Sequence, residues 1–318
     1  MIPMTAPNAA EVRLAAQRIR GVAKRTPVMT SRSLNDAAGL ECYVKCENFQ
    51  TSGSFKIRGA TNFLRQIPEA DRAKGVVAVS SGNHAQAVAI AAQLLHMKAT
   101  IVMPDDAPQI KLEATRDRGA EIIIFDRATQ DREVVAREVQ QRTGATFVHP
   151  FDHPWTIAGQ GTAALELLED HPDLDSLFVC LGGGGLLSGC AIIAKSINPR
   201  IKVYGVEPEL ANDFYQSFKA GHPVRVDHSP TIADGLRTPV PGALTLDIVR
   251  ELVDDIILVS EDEIRAAMRF LMMRLKIVAE PSGSVTTAAA LAHKLPANAK
   301  RAGLILSGGN VDFNVFCA

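Results

Sequence analysis

The stretch "SGSFKIRGA", residues 52 to 60, sets one lysine among small neighbours, with an aromatic before it and an arginine two places after. It reads as a loop entering a helix, with Ser52 or Ser54 placed to cap the first free N–H groups. Lys56 would stand in the first turn, near the positive end of the helix dipole and beside apolar Phe55. Both influences lower an ammonium pKa. A lysine depressed in this way becomes a nucleophile able to form a Schiff base with a carbonyl. The segment alone also describes an ordinary helix lysine with its amine in water.

Three other stretches carry unusual residues. "SSGNHAQ" (80–86) supplies two hydroxyls, an amide, an imidazole and the N–H groups of another helix start. Ser80, Ser81, Asn83 and His84 there suit a substrate carboxylate, although a histidine at a helix start more often has no chemical role. "GGGGLLSG" supplies Gly182, Gly183, Gly184 and Gly185 between a strand and a helix. Their N–H groups can curl around a phosphate, or the glycines can simply form a tight turn. The order is not the dinucleotide fingerprint, which needs G-x-G-x-x-G. Ser307, after "GLIL", offers one hydrogen bond to a buried ligand or closes a turn. In "EPELAND", Glu207 and Asp213 stand six residues apart with the Ala211 carbonyl between them. Hard divalent cations take such oxygen sets; a solvated acidic loop has the same composition. One lysine, one phosphate cradle and one carboxylate loop together point to a phosphorylated aldehyde cofactor held on the lysine.

These residues need a scaffold that gathers loops. "GVVAVS" (75–80), "ATIVMP" (99–104) and "AEIIIF" (120–125) are short, β-branched and nearly continuous in apolar character, the pattern of strands buried on both faces. Helical stretches separate them, and a second alternation follows through "SLFVCL", "IKVYGVE", "DDIILVS" and "AGLILSGGN". "EDEIRAAMRFLMMRL" and "SVTTAAALAHKL" read as single helices. Such alternation predicts an α/β fold of parallel sheets covered by helices, in two domains or in one large domain with an insertion. Ligands bind beyond the carboxyl ends of such strands, where the three loops fall.

Composition narrows the setting. The chain has 318 residues, 47% of them hydrophobic, and a formal net charge of −1, so neither a nucleic acid nor an acidic membrane is an expected partner. Five cysteines, at 42, 46, 180, 190 and 317, show no C-x-x-C spacing. Cys42 and Cys46 lie roughly 13 Å apart along a strand and cannot share a metal, so structural thiols of a reducing compartment are expected. The first residues turn charged before any apolar run develops, unlike a secretory signal, and no apolar run spans a bilayer. A cytoplasmic protein is the expectation.

The order "SGSFKIRGA", "SSGNHAQA", "IAGQGT", "GGGGLLSG", "TIADG", "LVDDIILVSEDEI", "LSGGNVD" resembles the fold type II pyridoxal-phosphate enzymes over essentially residues 10 to 315. The likeness is to the branch holding serine racemases, catabolic threonine dehydratases and 3-hydroxyaspartate dehydratases. It implies a tryptophan synthase β-like fold of two domains, each a mostly parallel twisted sheet flanked by helices. Residues 1–65 and 153–318 would form the large cofactor-binding domain and 66–152 the small substrate-closing one. Lys56 is then the Schiff-base lysine and the base that removes the Cα proton. Phe55 packs beside the cofactor, Asn83 bonds its ring hydroxyl, and Gly182 to Gly185 with Leu186 hold its phosphate. Ser307 faces the pyridine nitrogen and leaves it largely unprotonated. Ser80, Ser81, Asn83 and His84 grip the substrate carboxylate, and the cofactor phosphate is the implied proton donor to the departing β-hydroxyl.

Several residues narrow the implied activity. Ser81 matches the serine that, in racemases, protonates the opposite face of Cα. Glu207, Ala211 and Asp213 match a Mg²⁺ or Ca²⁺ site. Arg132 in "TQDREVV" matches an arginine near dicarboxylate ligands, or is an exposed helix arginine; a bidentate guanidinium there would favour 3-hydroxyaspartate. Phe151 replaces the asparagine of animal racemases and favours dehydration. The implied activity is an ammonia-lyase (dehydratase) acting on 3-hydroxy-L-aspartate, L-serine or L-threonine, in a homodimer without feedback inhibition by isoleucine. A serine or aspartate racemase using Lys56 and Ser81 is the alternative, and a non-catalytic cofactor-binding relative is a third.

Overall fold

In the computed structural model, residues 5–107, 109–126 and 128–316 are described. Ten strands form two sheets: β1 (Val28–Met29), β2 (Glu41–Cys46), β3 (Val76–Val79), β4 (Ala99–Pro104) and β5 (Glu121–Phe125) come first. They are followed by β6 (Thr146–Phe147), β7 (Ser176–Cys180), β8 (Lys202–Pro208), β9 (Asp255–Val259) and β10 (Arg301–Leu306). The larger sheet has the order β1-β2-β10-β7-β8-β9 and the smaller one β5-β4-β3-β6. Every pairing is parallel except β1 with β2.

The continuous apolar character of the strands has its reason in two-sided burial. Val76, Ala78, Ile101 and Met103 point into one core of the smaller sheet, while Val77 and Val102 point into the other. The helix Lys56–Leu64 adds Ile57, Ala60, Phe63 and Leu64 to the first of these cores. The larger sheet is packed by Val44, Leu177, Val179, Val203, Ile305 and their neighbours.

One helix, Pro154–Asp170, runs between the lysine helix and the helix Gly185–Ile197 that follows the glycine loop. It meets both through glycines. A Cβ on Gly161 would strike the backbone of Gly189, and one on Gly159 would strike Arg58 and Gly59. The helix axes therefore approach to backbone contact at two crossings.

Two expectations change. Glu261–Phe270 is α-helical, but Leu271–Leu275 continues as a π-helical turn ended by Lys276 at φ +62°. The helix expected from Ser284 begins at Pro281, where a proline costs no hydrogen bond. Strand β1, only two residues long, carries no periodic pattern to read. Cys42, Cys46, Cys180 and Cys190 are free and buried, and Cys317 lies outside the described residues. Among the described residues no helix is long and apolar enough to cross a membrane.

Candidate active site

The loop before Lys56 is fastened to the carboxyl end of β10. Ser54 bridges Gly308, Phe55 N–H donates to Ser307 O at 3.0 Å, and Gly309 N–H donates to Gly53 O at 2.9 Å. This fastening corrects the capping expectation. Ser52 Oγ donates to Ser54 O at 3.1 Å, Ser54 Oγ is buried without a partner, and the lysine helix begins with no side-chain cap. A loop held in register with β10 turns both hydroxyls away from the helix start. Lys56 is the first helical residue, its Nζ donates to Pro150 O at 2.9 Å, and it lies 5.2 Å from the Phe55 ring centroid. Burial of the amine pulls its pKa down to about 8, against the pull of Cys180 and Glu280 toward the charged form.

Strands β10 and β7 are neighbours, so Ser307 and the glycine loop leave the sheet side by side. Gly184 sits at φ +87° before a helix with no side-chain cap, and Thr245 Oγ1 fixes the loop by donating to Gly183 O at 2.8 Å. A Cβ on Gly183 would enter the Phe151 ring, and one on Gly182 would come within 3.0 Å of Leu236 Cα. The loop thus shows bare backbone at a helix N-terminus. Ser307 is buried near the Cys180 thiol, with its Oγ 3.4 Å from Ser282 O.

The 80–84 loop leaves β3 of the other sheet. Ser80 Oγ accepts the Gly82 N–H at 3.1 Å, whereas the half-buried Ser81 hydroxyl has no partner among the described residues. Asn83 Nδ2 donates to Glu280 Oε1 at 2.7 Å, and its Oδ1 accepts from Asn310 Nδ2 at 2.8 Å. His84 Nε2 lies 2.9 Å from Val148 O; a carbonyl only accepts, so Nε2 carries the hydrogen. Nδ1 is then a buried lone pair without a partner. Burial, followed by the charges of Lys56 and His149, takes the ring down to about 3, so it is neutral. The imidazole therefore offers no donor to a carboxylate, and the backbone N–H of His84 in the first helical turn is the group that remains.

Beyond Phe151 opens a cavity of about 500 Å³, lined by Arg132, His149, Asp152, Arg225 and the 239–243 segment. Arg132 is the exposed first residue of the helix Arg132–Thr143, with no ion pair among the described residues.

Glu207 lies near the end of β8 and Asp213 begins the helix Asp213–Ala220, both fully buried, with Ala211 between them in sequence. Glu207 accepts the N–H groups of Phe214 at 3.1 Å and Tyr215 at 2.9 Å. Burial and then the Asp213 charge raise Glu207 well above the carboxylate range, and burial raises Asp213 to about 7. No cluster of three or more His, Cys, Asp or Glu side chains gathers among the described residues; this set has two carboxylates and one carbonyl.

The convergence of a depressed lysine, a bare glycine loop and Ser307 agrees with the family whose model, described as pyridoxal-phosphate dependent enzyme, matches residues 19–308. The chain belongs to that family. It is 50% identical over 306 residues to a serine racemase of Schizosaccharomyces pombe, covering 96% of this chain and 95% of that one. It is equally 50% identical, over 309 residues, to an L-threo-3-hydroxyaspartate ammonia-lyase of Saccharomyces cerevisiae, covering 97% and 95%. The structure of maize serine racemase superposes with a TM-score of 0.95 at 44% identity, covering 98% of this chain and 96% of that one.

The site fits the cofactor that the family takes. The glycine loop leaves helix-terminal N–H groups with room denied to any side chain, and Lys56 is partly neutral near pH 8. Sequence reasoning missed three participants. Glu280 is buried and holds Asn83. Pro150 and Val148 supply the carbonyls that hold Lys56 and His84. Pro150 lies in the histidine-rich "HPFDHP" that follows β6, and Val148 stands just before it.

Proposed function

We propose that the chain is an ammonia-lyase that removes water from a 3-hydroxy amino acid, with 3-hydroxy-L-aspartate preferred over L-serine and L-threonine. The observation that carries this reading is the cavity beside the lysine site, which holds Arg132 without an ion pair among the described residues. Gly182 to Gly185 and Leu186 would hold the cofactor phosphate, Ser307 the ring nitrogen, Asn83 the ring hydroxyl, and Phe55 the ring face. Pyridoxal phosphate, when bound, supplies a carbonyl carbon for the substrate amine and a ring that takes up charge from Cα. The Ser80 and Ser81 hydroxyls, the Asn83 amide and the His84 N–H orient the α-carboxylate. Lys56 Nζ, exchanged for the substrate amine, takes the Cα proton. Phe151 roofs the glycine loop and limits water there.

Glu207, Asp213 and the Ala211 carbonyl would take Mg²⁺ or Ca²⁺, whose charge would relieve the repulsion between the two carboxylates. Residues 66–152 would act as the substrate-closing domain of a cytoplasmic homodimer. Racemisation is the second reading, supported by the unpartnered Ser81 hydroxyl and by the likeness to a serine racemase. A purely cofactor-binding role leaves the depressed pKa of Lys56 without a purpose.

The test is a keto-acid and ammonia assay across hydroxyaspartate isomers, serine and threonine, with chiral analysis of recovered substrate. The reading expects 3-hydroxy-L-aspartate to have the highest kcat/KM. Absence of keto acid from all of them overturns it. D-amino acid formed in wild type but lost in Ser81→Ala would establish the second reading.

A further inference from the structure

The helix Ala243–Leu252 has no side chain of its own to cap it, because its N-cap residue is Gly242. The cap comes from another part of the chain. Asp152 Oδ1 accepts the Thr245 N–H at 3.0 Å, and the N–H groups of Ala243 and Leu244 also bond this carboxylate. A Cβ on Gly242 would strike the same oxygen, so glycine there leaves the carboxylate its place. Asp152 is itself held by its N–H, which donates to His149 Nδ1 at 2.8 Å.

The first turn of this helix lies against the glycine loop. Thr245 is fully buried, and a Cβ on Gly184 would strike its side chain. A hydroxyl has one hydrogen to give. Thr245 Oγ1 lies 2.8 Å from Gly183 O and 3.1 Å from Gly242 O. Gly242 O already accepts the Leu246 N–H at 2.9 Å, whereas Gly183 O has no other donor among the described residues. The hydrogen therefore goes to Gly183 O. The 183–184 peptide is trans, so fixing its carbonyl on Thr245 turns the Gly184 N–H to the opposite side. That N–H and those of Gly185 and Leu186 have no acceptor among the described residues. On the other flank stands Phe151, next to Asp152 in sequence: a Cβ on Gly183 would enter its ring and one on Gly185 would strike its backbone.

We propose that Asp152 and Thr245 are positioning residues for the cofactor phosphate. Asp152 fixes the start of the helix, the helix presents the Thr245 hydroxyl, and that hydroxyl holds the 183–184 peptide with its N–H toward the phosphate. The inference rests on the assignment of the phosphate to Gly182–Gly185 and Leu186, and is independent of the substrate. A peptide free to rotate would turn a carbonyl oxygen, which repels an anion, to the side where an N–H binds one.

The experiment titrates apoenzyme in a calorimeter with pyridoxal phosphate and with pyridoxal, which lacks only the phosphate, after melting curves confirm folding. The ratio of the two dissociation constants isolates the phosphate. Wild type should favour pyridoxal phosphate about a hundredfold. Thr245→Val, which keeps the shape and loses the hydroxyl, should cut that preference at least tenfold and leave pyridoxal affinity within threefold of wild type. Thr245→Ser, which keeps the hydroxyl, should hold the preference within threefold. Asp152→Ala, or Asp152→Ser where the alanine variant does not fold, should cut it at least fivefold, and Asp152→Asn, which keeps an acceptor oxygen, should retain most of it. Because the two residues act in series, the double variant should be no worse than Thr245→Val alone. An undiminished preference in Thr245→Val overturns the proposal, as does a double variant in which the two losses multiply, or a pyridoxal affinity that falls in step with that for pyridoxal phosphate. Equal binding of the two ligands by wild type sinks the phosphate assignment of the glycine loop, and the proposal with it.

Discussion

Lys56 illustrates how a residue's chemistry follows from what surrounds it. Its amine is held on the Pro150 carbonyl and titrates near 8 because burial disfavours the ammonium form. The neutral fraction, and with it the rate at which apoenzyme captures pyridoxal phosphate, should rise about tenfold per pH unit below 8 and level off above it. Stopped-flow absorbance from pH 6 to 9 checks this; a flat profile contradicts it. The histidines respond in the opposite range. His84 is lowered to about 3 and His149 and His153 to about 4, each chiefly by burial. Folded-state pKa values below the unfolded one mean that their contribution is intact above about 6.5 and lost as pH falls toward 4. His84 and His149 should each cost ~1.4 kcal/mol per pH unit in that window, and the partly exposed His153 less. Urea unfolding at pH 7, 6 and 5 should show that decline. The sequence made Lys56 and the loop residues legible as types, but not the tautomer of His84, which depends on a carbonyl 64 residues away.

Among the elements, the helix Pro154–Asp170 has the clearest division of labour. "IAGQGT" is legible in the sequence as a motif without a task, because close packing of glycines needs a partner that only the fold supplies. Gly159 faces the lysine helix and Gly161 faces the helix that begins at the glycine loop. The distance from Lys56 to the glycine loop is therefore set by backbone thickness at two crossings. Gly161→Ala should force the second crossing apart, destabilise the protein by ~1–3 kcal/mol and weaken pyridoxal-phosphate affinity, whereas Ala at half-buried Gly221, whose Cβ would meet only the Arg250 side chain, should leave that affinity alone. Equilibrium dialysis with melting curves separates the two effects, and unchanged affinity in Gly161→Ala would refute this assignment. Strand β4 matches its sequence expectation to the residue, because two-sided burial writes a continuous apolar run. The π-helical turn at Leu271–Leu275 is invisible to the same reading, since its helical periodicity persists to the end.

At the level of the whole molecule, a charge cluster ties the lysine helix to its surroundings. Arg58, fully buried, makes paired bonds of 2.7 and 2.8 Å to Glu47 and two of 2.8 Å to Glu166. Lys45 completes the set with Glu166 at 2.7 Å. Burial works against the Glu47 charge, yet Arg58 and its hydrogen bonds hold the carboxyl below its usual range. Arg58→Met leaves two acids without their main partner and should cost ~3–5 kcal/mol. Adding Glu47→Gln should recover part of that loss, and a double variant no more stable than the single one would contradict the coupling. Sequence reasoning saw Arg58 only as a second cation beside Lys56, because its acidic partners Glu47 and Glu166 come from other elements, the residues after β2 and the 154–170 helix. The same distribution applies to Lys56 itself. Its loop is stitched to β10 of the larger sheet, while the carbonyl that holds its amine hangs from β6 of the smaller one. The lysine amine is thus a clasp between the two sheets, and it cannot be engaged elsewhere without being unfastened.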